Sequence, residues 1–369
     1  MLALHVPIEN SVKTNLVCID DYQKCSQKTL SKGVYEFFAE GSGQQETLKS
    51  NTNAFKKYKI KPRYLCNVAH RNLKIKILGK DISMPIGVAP TAMQKLAHPD
   101  GETAIARATQ ELNTIYIMSI YSTTSIEDVV KAAPHGRKWL QLFIFSDRKI
   151  NEDVITNAER NGFEAIVVTC DFPVLGIRLA SARNKLYLPQ HLQLGVLKKY
   201  MEQQKMNDIR VISDPSAQWN DIKWLKTITK LPIVAKGILS AEDAILAIEA
   251  GVSAIIVSNH GGRQLDSLPT TIEVLPEIVQ AVGDKVEVYI DCGFRDGTDV
   301  YKAIALGAKM VFVGRPAIWG LAHSGTEGVK NVLNILRNEL DVALAISGCC
   351  SLDEITPEKV VHESYYSKL

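Results

Sequence analysis

Eight short apolar segments recur between residues 84 and 313, and most of them are separated by stretches with helical periodicity and a charged face. The apolar segments are rich in β-branched residues and lack an alternating polar face, which is typical of strands buried on both sides of a parallel sheet. Eight strand–helix units in about 250 residues fit a closed (β/α)8 TIM barrel better than an open sheet. The predicted strands are 84–89, 115–118, 139–144, 165–169, 231–235, 254–257, 286–290 and 310–313.

Residues 1–369 are predicted to form a single domain with the barrel at 84–322. The remaining segments are predicted to be additions to this barrel. Residues 1–80 show no strand–helix alternation and are predicted to be an extension, with helical segments near 34–38 and 48–58 and an extended segment at 59–78. The connection after the fourth strand is far longer than an ordinary βα loop. We therefore predict a mobile flap at 186–213, although an insertion without a role fits this stretch equally well. An amphipathic helix is predicted at 325–347.

Composition excludes several classes of function. A formal net charge of +3 with 22% charged residues gives no basis for binding nucleic acid or a membrane surface. No apolar run reaches the roughly 18 residues that a bilayer span needs. The seven cysteines are odd in number and form no C-x-x-C pair, which argues against a disulfide framework or a zinc site and favours a reducing compartment. No metal site is predicted.

The segment that follows the predicted strand at 254–257 carries groups that do not help a strand to fold. His260 can accept a proton near neutral pH, and Arg263 can hold a carboxylate through two parallel hydrogen bonds. Gly261 and Gly262 between them would let a ligand approach the backbone. A base and a carboxylate clamp three residues apart indicate chemistry on the α-carbon of a small acid. A loop-capping His and a surface ion pair remain the alternative.

Polar side chains follow the other predicted strands too, at the barrel end where active sites are found. A barrel without a ligand has no need of them, so the pattern favours a binding site. In chain order they include Thr91, Ser119 with Tyr121, Gln141, Thr169 with Asp171, Lys236, Ser258 with His260 and Arg263, Asp291 with Arg295, and Arg315.

The last two strand ends combine glycines with arginines, at the usual phosphate site of such barrels. Backbone N–H groups at the glycines and the two guanidinium groups could hold phosphate oxygens, while Asp291 could accept hydrogen bonds from sugar hydroxyls. The ligand would then reach across the mouth to Lys236 and Pro90. A phosphorylated cofactor is therefore the favoured ligand. The residues concerned are Asp291, Cys292, Gly293, Phe294, Arg295, Gly314 and Arg315.

Five motifs, in order and at matching spacing, resemble the FMN-dependent 2-hydroxyacid oxidase family, which includes glycolate oxidase and the long-chain 2-hydroxyacid oxidases. They are APTAMQ at 89–94, QL at 141–142, LPIVAKG at 231–237, SNHGGRQLD at 258–266 and GR at 314–315. The resemblance extends from about Tyr22 to the C-terminus. It implies bound FMN, a homotetramer of (β/α)8 subunits, and oxidation of an L-2-hydroxy acid to a 2-oxo acid. Dioxygen would then reoxidise the flavin and give hydrogen peroxide.

The resemblance also assigns roles. His260 would be the catalytic base, with Asp171 hydrogen-bonded to its imidazole, and Lys236 would lie where negative charge accumulates on the reduced flavin. The substrate would contact Tyr22, Phe143, Arg178 and Arg263. The flavin ring and ribityl chain would contact Pro90, Thr91, Ala92, Ser119, Gln141, Thr169 and Ser258. For Ser119 and Thr169, a buried structural hydroxyl is an equally good interpretation.

Three residues depart from the family pattern. Phe143 stands where a Tyr hydroxyl usually faces the substrate, and Tyr121 stands where glycolate oxidases carry Trp and long-chain members carry Tyr. Both differences favour an acid with a larger or more apolar side chain. Cys292 replaces the usual Gly or Ala beside the phosphate site, and we have no interpretation of it. The predicted base and clamps are all present, so we expect an active enzyme.

Alternatives stay open at this point. The same site could serve a dehydrogenase that passes electrons to an acceptor other than dioxygen. A lysine at a strand end would also suit a Schiff-base aldolase or lyase, and a degenerate barrel could only bind a ligand. The chain ends in Ser367-Lys368-Leu369, the tripeptide that the peroxisomal import receptor recognises. A peroxide-forming enzyme suits that organelle, so a peroxisomal location is expected.

Overall fold

Eight parallel strands close into a barrel in the computed structural model, which describes residues 16–184, 188–204 and 213–368. The helices are α1 (Ile19–Thr29), α2 (Lys32–Ala39), α3 (Glu46–Ala54), α4 (Gly101–Glu111), α5 (Ile126–Ala132), α6 (Arg148–Arg160), α7 (Leu179–Asn184), α8 (Lys198–Gln204), α9 (Trp219–Ile228), α10 (Ala241–Ala250), α11 (Thr271–Val282), α12 (Gly297–Ala305) and α13 (Arg315–Ser347). The strands are β1 (Tyr58–Ile60), β2 (Ile75–Ile77), β3 (Lys80–Ile82), β4 (Ile86–Val88), β5 (Ile115–Ser119), β6 (Arg137–Leu142), β7 (Ala165–Thr169), β8 (Ile233–Ile238), β9 (Ala254–Val257), β10 (Glu287–Asp291), β11 (Met310–Val313) and β12 (Val360–His362).

Strands β4 to β11 are neighbours in chain order, and β11 pairs with β4 to close the ring. The predicted (β/α)8 barrel and its eight strands are confirmed. The bounds of several strands differ from the predicted ones by one to three residues. The largest difference at a carboxyl end is in β8, which continues to Ile238 instead of ending at 235, with a register shift between Lys236 and Ile238. Gly237 lies there at φ 106°, and a Cβ on it would come within 2.7 Å of the Asp171 side chain. Only glycine therefore lets β8 pass so close to Asp171, which follows the end of the adjacent strand β7.

A hairpin closes the amino-terminal end of the barrel, opposite the strand ends that the sequence singles out. Strands β2 and β3 pair antiparallel, and Ile77 and Ile82 on them are 1% exposed. Both belong to the apolar cluster that fills the barrel interior around Trp139 and Tyr289. Burial of these large side chains makes that end a packed core. The open end of the barrel is thus left for a ligand.

The N-terminal extension contains a helix that the sequence did not predict, α1, which packs on α13. Its Tyr22 ring lies edge-on to His323, with 5.5 Å between the ring centroids. Helix α2 ends at the open mouth of the barrel. The segment predicted to be extended, 59–78, contributes β1, which pairs with β12 near the C-terminus. In α13 the backbone leaves helical geometry at Ser324 and Gly325, the start of the predicted helix at 325–347.

Parts of two predicted features lie outside the described residues. These are 186–187 and 205–212 of the predicted flap, and Leu369 of the C-terminal tripeptide. Residues 188–204 of the predicted flap are described, and they are anchored to the barrel. Leu194 and Leu197 are buried, and Gly195 N–H donates to Ser122 O at 2.9 Å. Within the described part of the chain, no helix combines the length and apolar character needed to cross a bilayer.

Candidate active site

A cavity of about 920 Å³ lies at the carboxyl ends of the barrel strands. This volume is at the upper end of the range for small-molecule sites, about 300–1,000 Å³. Most of the residues that the sequence singles out line it. They are Pro90, Thr91, Ala92, Ser119, Tyr121, Gln141, Phe143, Thr169, Arg178, Lys236, His260, Arg263, Asp291, Cys292, Gly293, Phe294, Arg295, Gly314 and Arg315.

His260 and Asp171 form a hydrogen-bonded pair at the cavity wall. The His260 Nδ1 atom is 2.9 Å from Asp171 Oδ1, and the backbone of His260 is in the left-handed region at φ 57°. Burial lowers the pKa of His260, and the attraction of Asp171 only partly opposes this. Burial raises the pKa of Asp171, but the imidazole and Lys236 outweigh burial, so its pKa is lowered. The imidazole is therefore neutral at pH 7 and able to accept a proton, beside a carboxylate that would stabilise its cation.

Lys236 is a buried cation with fixed partners. Its Nζ donates to Ser258 Oγ at 2.9 Å and lies 3.2 Å from Asp291 Oδ2. Burial alone would lower the pKa of Lys236, but Asp291 and Asp171 outweigh burial, and the pKa is raised. Ser258 Oγ also accepts the backbone N–H of His260 at 3.1 Å. One hydroxyl thus joins the cation and the backbone of His260 in a common network.

Three arginines crowd the side of the cavity near the end of α2. Arg315 donates to Phe38 O at 2.9 Å and to Glu40 O at 2.8 Å, and Arg263 donates to Glu40 O at 3.0 Å. Burial and mutual repulsion with Arg178 lower the pKa of Arg263 well below its ordinary value. Burial, and then Arg295, lower the pKa of Arg315 to about 10. Such an excess of buried positive charge favours the binding of anions.

A chain of polar side chains crosses three adjacent strands on the cavity floor. Ser119 Oγ donates to Gln141 Oε1 at 3.2 Å, and Gln141 Nε2 donates to Thr169 Oγ1 at 3.0 Å. Ser119 on β5 and Gln141 on β6 are register partners. Thr169 on β7 lies two residues beyond Val167, the partner of Gln141, and so on the same face of the strand. All three are buried by the protein yet line the cavity. They form an edge of donors and acceptors suited to a flat polar ring system.

Aromatic side chains line the cavity beside the imidazole. Ring centroids are 5.3 Å apart between Tyr121 and Phe143, 4.5 Å between Phe143 and Phe172, and 5.9 Å between Phe172 and His260. Phe37, from the end of α2, lines the cavity as well, with its ring 5.5 Å from the Arg263 guanidinium carbon. The part of the cavity next to the base is therefore apolar, with a cationic rim.

Residues 26–362 match the model of the FMN-dependent dehydrogenases. The chain belongs to this FMN-dependent family.

Similar proteins cover nearly the whole chain. The 2-hydroxyacid oxidase 1 of Homo sapiens is 48% identical over 345 residues, which span 90% of this chain and 93% of that protein. Glycolate oxidase 3 of Oryza sativa subsp. indica is 45% identical, over 94% of this chain and 96% of that protein. Among solved structures, an active chimera of (S)-mandelate dehydrogenase aligns with a TM-score of 0.90 at 35% identity, covering 95% of this chain and all of that one. Mandelate oxidase with benzoyl-formic acid aligns with a TM-score of 0.85 at 37% identity, covering 94% and 98%.

The residues of the cavity fit FMN, the cofactor of the family. Arg295 and Arg315, which both line the cavity, supply the positive charge for a phosphate. Gly293 lies beside them at φ 90°, and its backbone is so close to Asn51 O that a Cβ would lie 2.2 Å from it. The polar edge formed by Ser119, Gln141 and Thr169 suits the flavin ring. Asp171 Oδ2 is buried and has no hydrogen-bond partner among the described residues. Such an unpartnered atom is expected where a bound ligand completes the site.

Three predicted site residues differ in placement from their predicted roles. Tyr22 does not line the cavity: it is 3% exposed, and its hydroxyl is hydrogen-bonded with Asn331. Helix α1 packs on α13 and not at the barrel mouth, so the structure does not bring Tyr22 to the cavity. Ser258 is fully buried behind the wall, where it holds Lys236 and His260. Asp291 faces Lys236 and Cys292 Sγ, the latter at 2.7 Å from its Oδ1.

Two residues that line the cavity, Phe37 and Phe172, were not predicted from the sequence. Phe172 directly follows Asp171 at a strand end, and this position is the signal that points to it. The end of α2 contributes Phe37 and the backbone carbonyls of Phe38 and Glu40. These groups are more than 200 residues away in sequence from the arginines that they contact. Nothing in the local pattern of α2 indicates this contact.

Proposed function

We propose that the chain is an L-2-hydroxyacid oxidase, which converts a 2-hydroxy acid to a 2-oxo acid and reduces dioxygen to hydrogen peroxide. The observation that carries the proposal is the His260–Asp171 pair, in the same cavity as the Arg263 and Arg178 guanidinium groups. The arrangement supplies a neutral base for one end of a 2-hydroxy acid and positive charge for its carboxylate. The names of the relatives, 2-hydroxyacid oxidase and glycolate oxidase, agree with it.

In this proposal each residue has a defined task. Arg263 and Arg178 bind and orient the substrate carboxylate, and His260 accepts a proton from the substrate while Asp171 stabilises the imidazolium. When bound, FMN would supply the two-electron redox chemistry that links the acid to dioxygen. Lys236 would offer a fixed cation to the negative charge that accumulates on a reduced flavin. The residues that would hold FMN are Pro90, Thr91, Ala92, Ser119, Gln141, Thr169, Lys236, Asp291, Cys292, Gly293, Phe294, Arg295, Gly314 and Arg315.

A Schiff-base lyase is disfavoured by the state of Lys236. An amine nucleophile must lose its proton, and enzymes achieve this by lowering the lysine pKa. Here Asp291 and Asp171 outweigh burial and raise the pKa of Lys236, so the amine stays protonated. An FMN-dependent dehydrogenase that uses another electron acceptor is the remaining alternative, and oxygen consumption distinguishes it.

The aromatic wall indicates which acids are preferred. Phe143, Phe172 and Phe37 offer no hydroxyl to a small polar substrate, and they present apolar surface to a side chain. Each buried methylene contributes about 0.8 kcal/mol, or roughly a fourfold gain in affinity. The 2-hydroxy acid should therefore carry an apolar side chain.

A substrate panel tests both parts of the proposal. With purified holoenzyme in air, glycolate, L-lactate, L-2-hydroxyoctanoate and (S)-mandelate are compared by oxygen uptake and peroxide release. We expect one peroxide per acid oxidised and a kcat/KM at least about tenfold higher for an apolar acid than for glycolate. Anaerobic bleaching of the flavin by substrate, without oxygen uptake in air, would point to the dehydrogenase. A preparation that no 2-hydroxy acid reduces would refute the proposal.

We further propose a peroxisomal location and a homotetramer. The C-terminal Ser367-Lys368-Leu369 supports import by its receptor, and the peroxide product suits that organelle. A tagged chain should enter peroxisomes, and one without the last three residues should not.

The proposed homotetramer is supported only by the family resemblance. Light scattering should give a mass four times 40.8 kDa, and a monomeric mass would contradict the proposal.

A further inference from the structure

Glu102 is a buried carboxylate that the proposed chemistry does not use. It lies in the first turn of α4 and is 0% exposed. Among the described residues it forms no ion pair within 4 Å, so no cation offsets its charge there. Burial of an unpaired carboxylate is costly, and such a group persists only when hydrogen bonds and local dipoles stabilise it. The start of α4 provides one such dipole.

The hydrogen bonds of Glu102 come from two different loops of the active site. Oε1 accepts the backbone N–H of Gln94 at 3.1 Å, which belongs to the loop after β4. The same oxygen accepts the backbone N–H of Thr123 at 2.8 Å, from the loop after β5. Oε2 accepts the hydroxyls of Thr123 at 2.9 Å and Thr124 at 2.6 Å. One side chain therefore fastens the two loops to each other and to α4.

Both loops carry residues of the cavity immediately beside these anchors. Thr91, Ala92 and Met93 precede Gln94, and all three line the cavity. Met93 is held in the left-handed region at φ 57°, and its N–H donates to Tyr121 O at 3.0 Å. Tyr121, two residues before Thr123, belongs to the aromatic wall. A shift at Glu102 would thus move the wall that faces the flavin and the wall that faces the substrate together.

We propose that Glu102 is a positioning residue, which sets the distance between the cofactor-facing segment Thr91–Met93 and the substrate-facing Tyr121. The inference rests on the proposed function only through the assignment of 91–93 to the flavin. It predicts that loss of the carboxylate disturbs cofactor binding and substrate binding at once, although Glu102 touches neither.

Glu102→Ala is compared with Glu102→Gln and with Glu159→Ala, all as purified holoenzyme. Glutamine keeps an oxygen for the two backbone donors and offers its amide to the Thr124 hydroxyl. Glu159 is the matched control, because it also joins a helix end to a loop, accepting Lys230 N–H at 3.1 Å, but at the amino-terminal end of β8. Measurements are the FMN dissociation constant, the affinity of the bound flavin for sulfite, the KM for the preferred acid, and the melting temperature.

In Glu102→Ala we expect FMN and sulfite affinities to fall on the order of tenfold each, with a raised KM, since buried donors lose their acceptor. Glu102→Gln should recover most of this. Glu159→Ala should lower the melting temperature but leave the FMN and sulfite constants within twofold. If folded Glu102→Ala binds FMN and sulfite like the parent, Glu102 is merely structural and the inference is overturned. Failure of the parent itself to bind FMN would instead overturn the proposed function.

Discussion

His260→Gln is expected to slow the reduction of bound FMN by a 2-hydroxy acid about 10³- to 10⁴-fold, the range lost with a catalytic base. Glutamine spans a similar distance and can still hydrogen-bond Asp171, but it cannot take up a proton. The cofactor should stay bound, because Arg295, Arg315 and the polar edge at Ser119, Gln141 and Thr169 are untouched. Anaerobic stopped-flow spectroscopy at the flavin absorbance maximum measures the rate directly.

The control for this variant is His323→Gln, a histidine outside the cavity that packs on Tyr22. Its flavin reduction rate should match that of the parent. If His260→Gln reduces flavin within a few fold of the parent, His260 is not the base. Loss of FMN from the variant would show that the imidazole supports the cofactor site, and the rate would then be measured at saturating FMN.

The pH dependence of kcat/KM reports the protonation of His260. Burial lowers the pKa of His260 below its ordinary value of 6.5, although Asp171 pulls it back upward. The base must be neutral to act, so activity should be fully present at pH 7 and fall only as the pH drops below about 6.5. Asp171→Asn removes the group that raises the pKa, so its acid limb should move to still lower pH. An acid limb above pH 7 in the parent would contradict this electrostatic account.

The barrel and most of the cavity could be predicted from sequence because both follow from local patterns. A strand buried on both faces is apolar at every position, so eight such runs report a parallel barrel without any knowledge of contacts. Because active sites lie where barrel strands end, Lys236, His260 and Asp291 could be assigned to one site from their positions alone. The structure confirms the barrel and brings these residues to one cavity.

What the sequence could not predict depends on tertiary contacts between distant segments. Phe37 lines the cavity at the end of α2, where Arg263 and Arg315 donate to the backbone carbonyls. The position of Tyr22 depends on the packing of α1 against α13. Glu102 looks like an ordinary acidic residue in the first turn of a helix, and its contacts with two loops appear only in the fold. Helical periodicity gives no information on such partners.

Arg263→Met is expected to lower kcat/KM for the preferred acid by about 10²- to 10³-fold, equivalent to roughly 3–4 kcal/mol, as for the loss of one partner of a buried charge pair. All hydrogen bonds of the Arg263 side chain to described residues come from Nη1, to the carbonyls of Phe37, Phe38 and Glu40. Nε and Nη2 are left to grip a carboxylate. Repulsion from Arg178 and Arg315 makes an anion at this place still more favourable.

The variant should fold, because Arg315 also donates to Phe38 O and Glu40 O and so keeps the end of α2 attached. A flavin spectrum and a melting curve check this. Arg263→Lys serves as the matched variant: it keeps the charge but loses the two-pronged geometry, so kcat/KM should lie between the parent and Arg263→Met. Binding of the 2-oxo acid product, followed by its perturbation of the flavin spectrum, should weaken in parallel. If Arg263→Met binds the product as tightly as the parent does, Arg178 alone holds the carboxylate, and Arg263 acts only as the anchor of α2.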